Sequence, residues 1–137
     1  DLPDLAPLEP GARVFDAGCG LGDGLIALRQ AYPLAQLEGL EWSRPLRWLC
    51  ARRCPWARVH RGDMWQADWS GYQLVYLFQR PESMARAFAK AQAELAPGAW
   101  LVSLEFAVSG VLPHAHLHAP GGRPVWLYRM PGASAKA

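Results

Sequence analysis

An apolar run that ends in an acidic residue and enters a glycine-rich loop constrains the fold of this 137-residue chain more than any other feature. The run is Val14-Phe15-Asp16, and glycines follow at positions 18, 20 and 22. Because glycine has no Cβ, Gly18 and Gly20 let the backbone turn sharply and lie against a ligand. A buried strand that leads into such a loop is typical of α/β domains that bind a nucleoside-bearing ligand.

The spacing of the glycines separates two classes of cofactor. Dinucleotide-binding loops need the pattern G-x-G-x-x-G/A, in which the third small residue lets helix and strand pack closely. Counted from Gly18, that third position holds Asp23, and a second match counted from Gly22 would lie inside the following helix. The carboxylates of Asp16 and Asp23 would repel a pyrophosphate, whereas they suit a ligand with a sulfonium, an ammonium and no phosphate. The sequence therefore predicts S-adenosylmethionine as the cofactor.

Apolar runs of strand length alternate with helical patterns along the chain, which indicates βαβ units. The predicted fold class is α/β, with a Rossmann-like, mainly parallel sheet and helices on both faces. Residues 1–130 are expected to form one domain and residues 131–137 a flexible tail, with a loop rich in Gly, Pro and His before the last strand. The predicted strands are 13–17, 36–41, 58–61, 72–78, 99–106 and 125–130, and the predicted helices are 23–31, 44–54 and 82–95.

Composition narrows the class of protein. Hydrophobic residues make up 51% of the chain, which is enough for one compact core, and the net charge of +2 is too small to imply a nucleic-acid or membrane partner by itself. No run approaches the roughly 18 apolar residues of a membrane span, and no secretory signal is visible. These absences favour the cytoplasm, and we expect a bacterial protein; the cytoplasmic face of a membrane is implied only by the family resemblance given below. The chain begins at Asp1 without an initiating Met, so the sequence leaves open whether a membrane anchor precedes it.

The cysteines and histidines predict no metal site. Three cysteines cannot form an even disulfide framework, which favours a reducing compartment. Cys50 and Cys54 would lie one helical turn apart with no matching second pair, and we expect them to be buried thiols. His114, His116 and His118 alternate in the Gly- and Pro-rich loop, where a solvated run is the favoured interpretation.

Carboxylates stand at the ends of three successive predicted strands. Glu41 comes about 20 residues after the glycine loop, where a carboxylate can accept from both ribose hydroxyls. Trp42 then offers a flat face to an adenine ring, although it can equally be a core residue. Asp63 can accept from the adenine amine with Met64 against the ring; the alternative is that Asp63 caps a short helix. The predicted cofactor site consists of Asp16, Gly18, Gly20, Gly22, Glu41, Trp42, Asp63 and Met64.

The pattern Asp16-x-Gly18-x-Gly20-x-Gly22 resembles the first motif of class I S-adenosylmethionine-dependent methyltransferases. Asp63-Met64-Trp65 and the closing Val125-Trp126-x-Tyr128 narrow the resemblance to the small protein-lysine methyltransferases that act on the ATP synthase c subunit and the adenine nucleotide carrier. The resemblance covers most of the chain and implies a compact methyltransferase core. In that family the fifth strand runs into a segment rich in arginine, phenylalanine and proline, whereas this chain has Leu104-Glu105-Phe106-Ala107-Val108. The departure concerns the substrate more than the cofactor.

The residues after the fourth predicted strand indicate the acceptor. Enzymes that methylate amide or nucleobase amines commonly place a polar residue, two prolines and an aromatic there, whereas this chain has Phe78-Gln79-Arg80-Pro81. A lysine amine needs no such polarisation once its proton has left to water, so the protein has only to align and desolvate it. Trp65, Phe78 and Gln79 are the candidates for this pocket, because aromatic faces favour a cationic side chain. Each has an alternative: Trp65 and Phe78 as core residues, and Gln79 as a helix cap.

Three functions follow from these observations. The favoured one is methyl transfer to a protein lysine, and the family resemblance extends the partner to a membrane protein. The second is methylation of RNA, a less favoured partner that would use the arginines between positions 44 and 61 with Trp48 and Trp56; a solvated helix face is the alternative for them. The third is a nucleotide-binding module without catalysis, since no residue is an obligate acid or base.

Overall fold

Each predicted strand and helix is present in the structure, a computed structural model that describes residues 1–131. The strands are β1 (Arg13–Asp16), β2 (Gln36–Glu41), β3 (Arg58–Arg61), β4 (Leu74–Leu77), β5 (Trp100–Leu104), β6 (Ala115–His118) and β7 (Pro124–Arg129). The helices are α1 (Leu2–Leu5), α2 (Asp23–Ala31), α3 (Arg44–Arg53) and α4 (Pro81–Glu94).

All seven strands form one sheet in the order β3-β2-β1-β4-β5-β7-β6. The first five strands are parallel to one another, while β7 runs antiparallel between β5 and β6. The strand order reverses between β1 and β4, where chain connections leave the sheet on opposite sides. In open α/β sheets, ligands bind at the carboxyl ends of the strands at this point. The predicted fold class, a mainly parallel α/β sheet, is confirmed.

Helices cover the sheet on both faces. Successive residues of the central strands point to opposite sides, so each strand supplies apolar side chains to both layers. Val14 and Leu74 pack in the layer that contains α2 and α3, whereas Phe15 and Val75 pack in the layer that contains α4. The helices contribute Leu25, Leu28 and Cys50 to the first layer and Met84, Ala87 and Ala91 to the second.

The start of α3 follows from local sequence. The hydroxyl of Ser43 accepts from the backbone N–H of Leu46 at 3.4 Å, and Pro45 stands in the first turn, where a missing N–H costs nothing. The sequence places Leu46, Leu49 and Cys50 on one face of this helix, but that face is largely not buried. Only Cys50 is buried, while Leu46 and Leu49 are 36% and 41% exposed. Because α3 lies against β2 and the edge strand β3, only a narrow stripe of the helix contacts the sheet.

Two elements were not expected from the sequence. Helix α1 forms in the Pro-rich opening segment, where the Asp1 side chain accepts from the N–H of Asp4. Strand β6 forms inside the segment predicted as a Gly-, Pro- and His-rich loop, and it pairs only with β7. His116 and His118 nevertheless lie on its exposed side, so their predicted solvation is correct although the loop assignment is not. Strands β4 and β5 are each shorter than predicted.

No helix within residues 1–131 combines the length and the apolar character that crossing a bilayer requires. Of the predicted flexible tail, 131–137, only Pro131 belongs to the part of the chain that the structure describes. The remaining positions, 132–137, lie outside the described residues.

Candidate active site

The glycine loop after β1 occupies the carboxyl edge of the sheet at the point where the strand order reverses. One backbone contact holds it against β2: the N–H of Cys19 donates to the carbonyl of Leu40 at 2.9 Å. A second contact closes the loop on itself, since the N–H of Gly22 donates to the carbonyl of Cys19 at 2.7 Å. Gly20 and Gly22 have φ values of 51° and 101°, in the left-handed region that favours glycine. The loop therefore has a fixed shape in which the glycines at 20 and 22 supply the turns.

Asp16 ends β1 and is 2% exposed. Its Oδ1 accepts from the N–H of Gly18 at 3.3 Å. Burial raises the pKa of Asp16 to about 7; the Gly18 hydrogen bond opposes this shift, and the Glu41 carboxylate adds to it. A buried carboxyl with a pKa near neutrality is characteristic of functional sites, where a charged ligand changes its ionisation.

Glu41 connects the loop to the end of β2. Its Oε1 accepts from the N–H of Gly20 at 3.0 Å, and its Oε2 accepts from the N–H of Ser43 at 2.8 Å. The half-buried carboxylate is thereby oriented at the edge of the sheet. Each oxygen keeps a further lone pair, so the carboxylate can still accept from two adjacent hydroxyls.

The predicted adenine-binding residues lie beyond Glu41 along the same edge. Trp42 is 64% exposed, and the Arg61 guanidinium stands 4.8 Å from the centre of its ring. Asp63 follows β3, and its Oδ1 accepts from the N–H of Trp65 at 3.0 Å in a turn that does not continue as a helix. Met64 is 8% exposed and packs in the layer that contains α4. An aromatic side chain, a carboxylate and a thioether therefore follow the ends of β2 and β3.

A cleft of about 250 Å³ opens on the other side of the glycine loop, toward β4 and β5. Its wall includes an ionisable pair, Asp16 and Tyr76. Burial and the Asp16 carboxylate raise the pKa of Tyr76 to about 12, against an opposing effect of Arg123, so Tyr76 is a neutral hydroxyl at pH 7. The cleft is lined by Asp16, Gly18, Cys19, Gly20, Leu21, Asp23, Gly24, Tyr76, Phe78, Leu104 and Arg123.

The three predicted acceptor residues have different surroundings. Phe78 lines the cleft and is 46% exposed. Gln79 follows it, and its Nε2 is 4.0 Å from the point that a Cβ on Gly18 would occupy. Trp65 instead packs against the layer that contains α4, with the Arg86 guanidinium 4.2 Å from the centre of its ring. Phe78 and Gln79 thus stand beside the glycine loop, whereas Trp65 has a packing environment.

The segment after β5 carries a strained turn that sequence reasoning missed. Glu105 has a φ of 73°, the one positive value for a non-glycine residue within 1–131. The N–H of Phe106 donates to the carbonyl of Leu104 at 2.9 Å, which makes Glu105 the centre of a three-residue turn of the rare, strained kind. Such a conformation costs about 1–3 kcal/mol and persists only where surrounding contacts impose it. The departure of this segment from the family pattern was the signal available in the sequence.

Backbone and side-chain contacts with β7 impose that turn. The indole N–H of Trp126 donates to the carbonyl of Glu105 at 3.0 Å, and the N–H of Glu105 donates to the carbonyl of Pro124 at 2.7 Å. The Tyr128 hydroxyl accepts from the N–H of Val108 at 2.7 Å. The motif Val125-Trp126-x-Tyr128 therefore fixes the position of the segment 105–108 beside the cleft.

The thiols of Cys19, Cys50 and Cys54 pack together between the glycine loop and α3. Cys19 and Cys50 have their Sγ atoms 3.4 Å apart, and Cys54 Sγ is 3.8 Å from the carbonyl oxygen of Gly22. All three are buried and free, and burial raises their pKa values. Over residues 1–131, no group of three or more His, Cys, Asp or Glu side chains is placed to hold a metal ion.

The chain is similar to known methyltransferases. The family model described as the ANTKMT methyltransferase domain matches residues 16–115, from the end of β1 to the start of β6. Among curated proteins, the chain is similar to a trans-aconitate 2-methyltransferase from Deinococcus radiodurans, with 33% identity. The match covers 63% of this chain but 36% of that relative, so it spans about a third of the relative's length.

Solved structures share the fold. One is described as an RNA methyltransferase from Salinibacter ruber in complex with S-adenosyl-L-homocysteine, with a TM-score of 0.81, 23% identity and coverage of 95% of this chain and 88% of that chain. Another is a geranyl diphosphate methyltransferase in complex with SAM, with a TM-score of 0.62, 23% identity and coverage of 75% of this chain and 45% of that chain. At these identities the likeness shows the fold alone.

Proposed function

Because this chain belongs to the ANTKMT methyltransferase domain family, among the class I S-adenosylmethionine-dependent methyltransferases, we propose that it transfers a methyl group from S-adenosylmethionine to the side-chain amine of a protein lysine. The observation that carries this proposal is the juxtaposition of Asp16, the glycine loop and Glu41 at the switch point of the sheet, beside a cleft with an aromatic wall. The S-adenosylhomocysteine and SAM complexes of the two structural relatives support the cofactor.

The residues present fit S-adenosylmethionine. Glu41 can accept from the ribose hydroxyls, and Trp42, Asp63 and Met64 offer a ring face, an acceptor and a thioether for the adenine. The buried Asp16 carboxyl suits a cationic ligand, because ionisation at this position needs a positive partner. The cofactor supplies an electrophilic methyl group on its sulfonium; the chain supplies binding and orientation.

The cleft side of the loop suits the acceptor. A lysine amine attacks the methyl carbon after its proton has left to water, so positioning and exclusion of water are the work of the protein. Phe78 and Leu104 provide apolar walls, and Gln79 stands next to Gly18, where its amide can orient an amine without supplying a proton. The motif Phe78-Gln79-Arg80-Pro81 lacks the pair of prolines that amide methylation commonly uses.

RNA is the second candidate acceptor, and a specific surface favours it. Residues 42–62 include six arginines and no acidic residue, although the whole chain has a net charge of only +2. Trp42 and Trp48 are 64% and 52% exposed on this surface, with Arg61 and Arg52 over their rings. Arginines with exposed aromatic side chains are the groups that bind single-stranded RNA. The Salinibacter relative is described as an RNA methyltransferase.

One labelling experiment separates these functions. The purified chain is incubated with S-adenosylmethionine carrying a tritiated methyl group and with bacterial soluble and membrane fractions, followed by digestion with protease or ribonuclease. We expect protease-sensitive label that elutes as methyl-lysine after acid hydrolysis. Label removed by ribonuclease alone would establish the RNA function, and no label despite binding of S-adenosylhomocysteine would leave a nucleotide-binding module. Asp16→Ala is the control that must abolish the label.

The membrane fraction matters because the family resemblance includes membrane proteins as substrates. We propose the bacterial cytoplasm, or the cytoplasmic face of a membrane, as the place of action. The Deinococcus origin of the curated relative supports a bacterial source. Label concentrated in an integral membrane protein would support the membrane face, whereas label confined to soluble proteins would contradict it.

A further inference from the structure

We infer that Glu105 and Phe78 form a receptor for the acceptor's side-chain cation and that Arg123 fills this receptor when no acceptor is bound. This inference rests on the proposed function, because it assigns recognition of a lysine ammonium to residues beside the cleft. It makes Glu105 a specificity-determining residue and Arg123 an internal competitor of the substrate.

The contacts of Arg123 are those that a substrate cation would need. Its Nη2 is 3.4 Å from Oε2 of Glu105, and its guanidinium carbon is 4.9 Å from the centre of the Phe78 ring. Phe106 lies parallel to Phe78, with ring centres 6.2 Å apart and an angle of 5° between the planes. A carboxylate next to aromatic faces is the chemistry that recognises an ammonium group, methylated or not.

The receptor is in the right place for methyl transfer. Phe78 and Arg123 line the same cleft as Asp16 and Gly18, so the guanidinium shares this space with the loop that would hold the methyl donor. Glu105 follows Leu104, which also lines the cleft. A side chain that replaced Arg123 would therefore enter the cleft beside the glycine loop.

The two partners differ in how firmly they are held. The backbone of Glu105 is fixed by its strained turn and by hydrogen bonds to the carbonyl of Pro124 and the indole of Trp126. Arg123 instead follows two glycines with positive φ, Gly121 and Gly122, in the β6–β7 turn, and its side chain is 51% exposed. Moving the guanidinium away breaks one half-exposed ion pair and one cation–π contact, each of which contributes little in water. A carboxylate on a fixed backbone and a movable cation are the parts that substrate displacement requires.

The receptor selects a long cationic side chain. A lysine ammonium at the end of four methylenes can reach past the rim of the cleft, whereas a neutral amide or hydroxyl would leave the Glu105 carboxylate without a cation. An anionic acceptor would be attracted by Arg123 and repelled by Glu105. Methylated lysine keeps its charge, so a trimethylated side chain is a stable probe of the same receptor.

The test measures binding of Nα-acetyl-Nε-trimethyllysine amide by calorimetry, with S-adenosylhomocysteine present, to the wild-type chain, Arg123→Ala and the double variant Arg123→Ala/Glu105→Gln. We expect Arg123→Ala to bind the probe about tenfold more tightly than the wild type, and the double variant to lose that gain. Arg129→Ala is the matched control: Arg129 is also an exposed arginine over an aromatic ring, Trp100, but it lies at the opposite end of β7 from Arg123, so its loss should leave probe binding unchanged.

Two results would overturn the inference. Equal probe binding by the wild type and Arg123→Ala would show that Arg123 does not compete with a cation. A tenfold loss of S-adenosylhomocysteine affinity in Arg123→Ala would show that Arg123 instead holds the cofactor's carboxylate. Thermal denaturation of each variant establishes that it is folded.

The probe-binding test and the labelling experiment can fail independently of each other. If the expected probe binding is found but label from the extract experiment is removed by ribonuclease alone, a cation-binding site is established, while lysine methylation and the assignment of this site to the acceptor fail. If methyl-lysine is formed while the probe binds all variants equally, lysine methylation stands and the receptor fails.

Discussion

The indole N–H of Trp126 donates a 3.0 Å hydrogen bond to the backbone carbonyl of Glu105, the residue with the strained φ of 73°. This bond links the closing sequence motif to the segment after β5, which lies beside the cleft. The contact gives Trp126 a structural role beside the cleft, because its polar atom holds a backbone turn rather than a ligand.

Trp126→Phe removes this hydrogen bond and leaves the Glu105 carbonyl without its indole donor. We expect the free energy of unfolding to fall by about 1–2 kcal/mol, as for the loss of a partly buried hydrogen bond. The affinity for S-adenosylhomocysteine should be unchanged, while binding of the acceptor should weaken, because the turn no longer holds Glu105 in place. Urea denaturation and calorimetric titration measure the two effects.

Trp48→Phe is the control for Trp126→Phe, since Trp48 is 52% exposed on α3 and holds no backbone turn. It should change stability and binding of the trimethyllysine probe little. An unaltered acceptor affinity in Trp126→Phe would contradict the assigned role of the turn.

The stability of the unliganded chain should depend on pH through Asp16. The pKa of Asp16 is about 7 in the folded chain, whereas an unfolded chain has the ordinary value of 3.8. Between these two pH values the folded form therefore binds one more proton than the unfolded form. The contribution of Asp16 to stability is therefore highest below about pH 4, falls as pH rises toward about 7, and is constant above it. The total loss is on the order of 4 kcal/mol. Asp16→Asn keeps an acceptor for the Gly18 N–H and cannot ionise, so at pH 8 it should be more stable than the wild type.

Urea denaturation at pH 5, 6, 7 and 8 checks this dependence. The difference in unfolding free energy between wild type and Asp16→Asn isolates the Asp16 contribution from that of the histidines. A difference that stays constant across the series would contradict the raised pKa.

Folding of the unliganded chain favours protonated Asp16, whereas binding of the cofactor should favour the ionised form. A cationic ligand favours the ionised carboxylate, so binding of S-adenosylmethionine should release a proton from Asp16 below about pH 7. We expect the affinity to rise between pH 6 and pH 7.5. Calorimetry in two buffers with different ionisation enthalpies counts the released proton. Asp16→Asn should bind more weakly, without this proton release, and equal proton release by both proteins would exclude Asp16 as its source.

The parallel strands explain how much of this site the sequence predicts. Carboxyl ends of parallel strands meet at one edge, so the positions of Asp16, Glu41 and Asp63 in sequence were enough to bring them to the same edge. The start of α3 was likewise predictable, because Ser43 and its helix are local. The turn at Glu105 was not, since it depends on Trp126, about twenty residues later in the chain. Strand β6 was missed for the same reason: its pairing with β7 overrides a composition that favours a loop.

Glu41→Gln should weaken cofactor binding strongly. One of the two amide positions would present an NH₂ group to the N–H of Gly20 or Ser43, so the side chain would lose a hydrogen bond and turn away from the ribose site. We expect S-adenosylhomocysteine affinity to fall by about tenfold or more, in line with loss of a hydrogen bond to a charged group.

Glu38→Gln is the matched control for Glu41→Gln. Glu38 lies on the same strand, but its carboxylate pairs with Arg13 at 3.0 Å and accepts from the Tyr72 hydroxyl at 3.0 Å. This variant should lower stability and leave cofactor affinity unchanged. Equal affinities in Glu41→Gln and Glu38→Gln would contradict the ribose-binding role of Glu41.

Alanine substitutions at two glycines of the loop should affect different properties: Gly22→Ala should lower stability, and Gly18→Ala should lower cofactor affinity. At Gly22, with φ of 101°, a Cβ would stand 2.8 Å from Cys54 Sγ and 3.3 Å from Cys50 Sγ, so Gly22→Ala combines backbone strain with a clash in the buried thiol layer. We expect it to lower the free energy of unfolding by about 1–3 kcal/mol or more. At Gly18 the nearest atom to a Cβ is Gln79 Nε2 at 4.0 Å, so Gly18→Ala should fold normally.

Gly18→Ala should nevertheless lose cofactor affinity, because its methyl group would occupy the space that a ligand needs to approach the loop backbone. Thermal denaturation and titration with S-adenosylhomocysteine separate the two variants: stability changes in Gly22→Ala, and affinity changes in Gly18→Ala with stability intact. Full affinity in Gly18→Ala would place the ligand away from this part of the loop. The structure makes the two outcomes independent, since Gly22 packs inward against α3 whereas Gly18 is exposed toward the cleft.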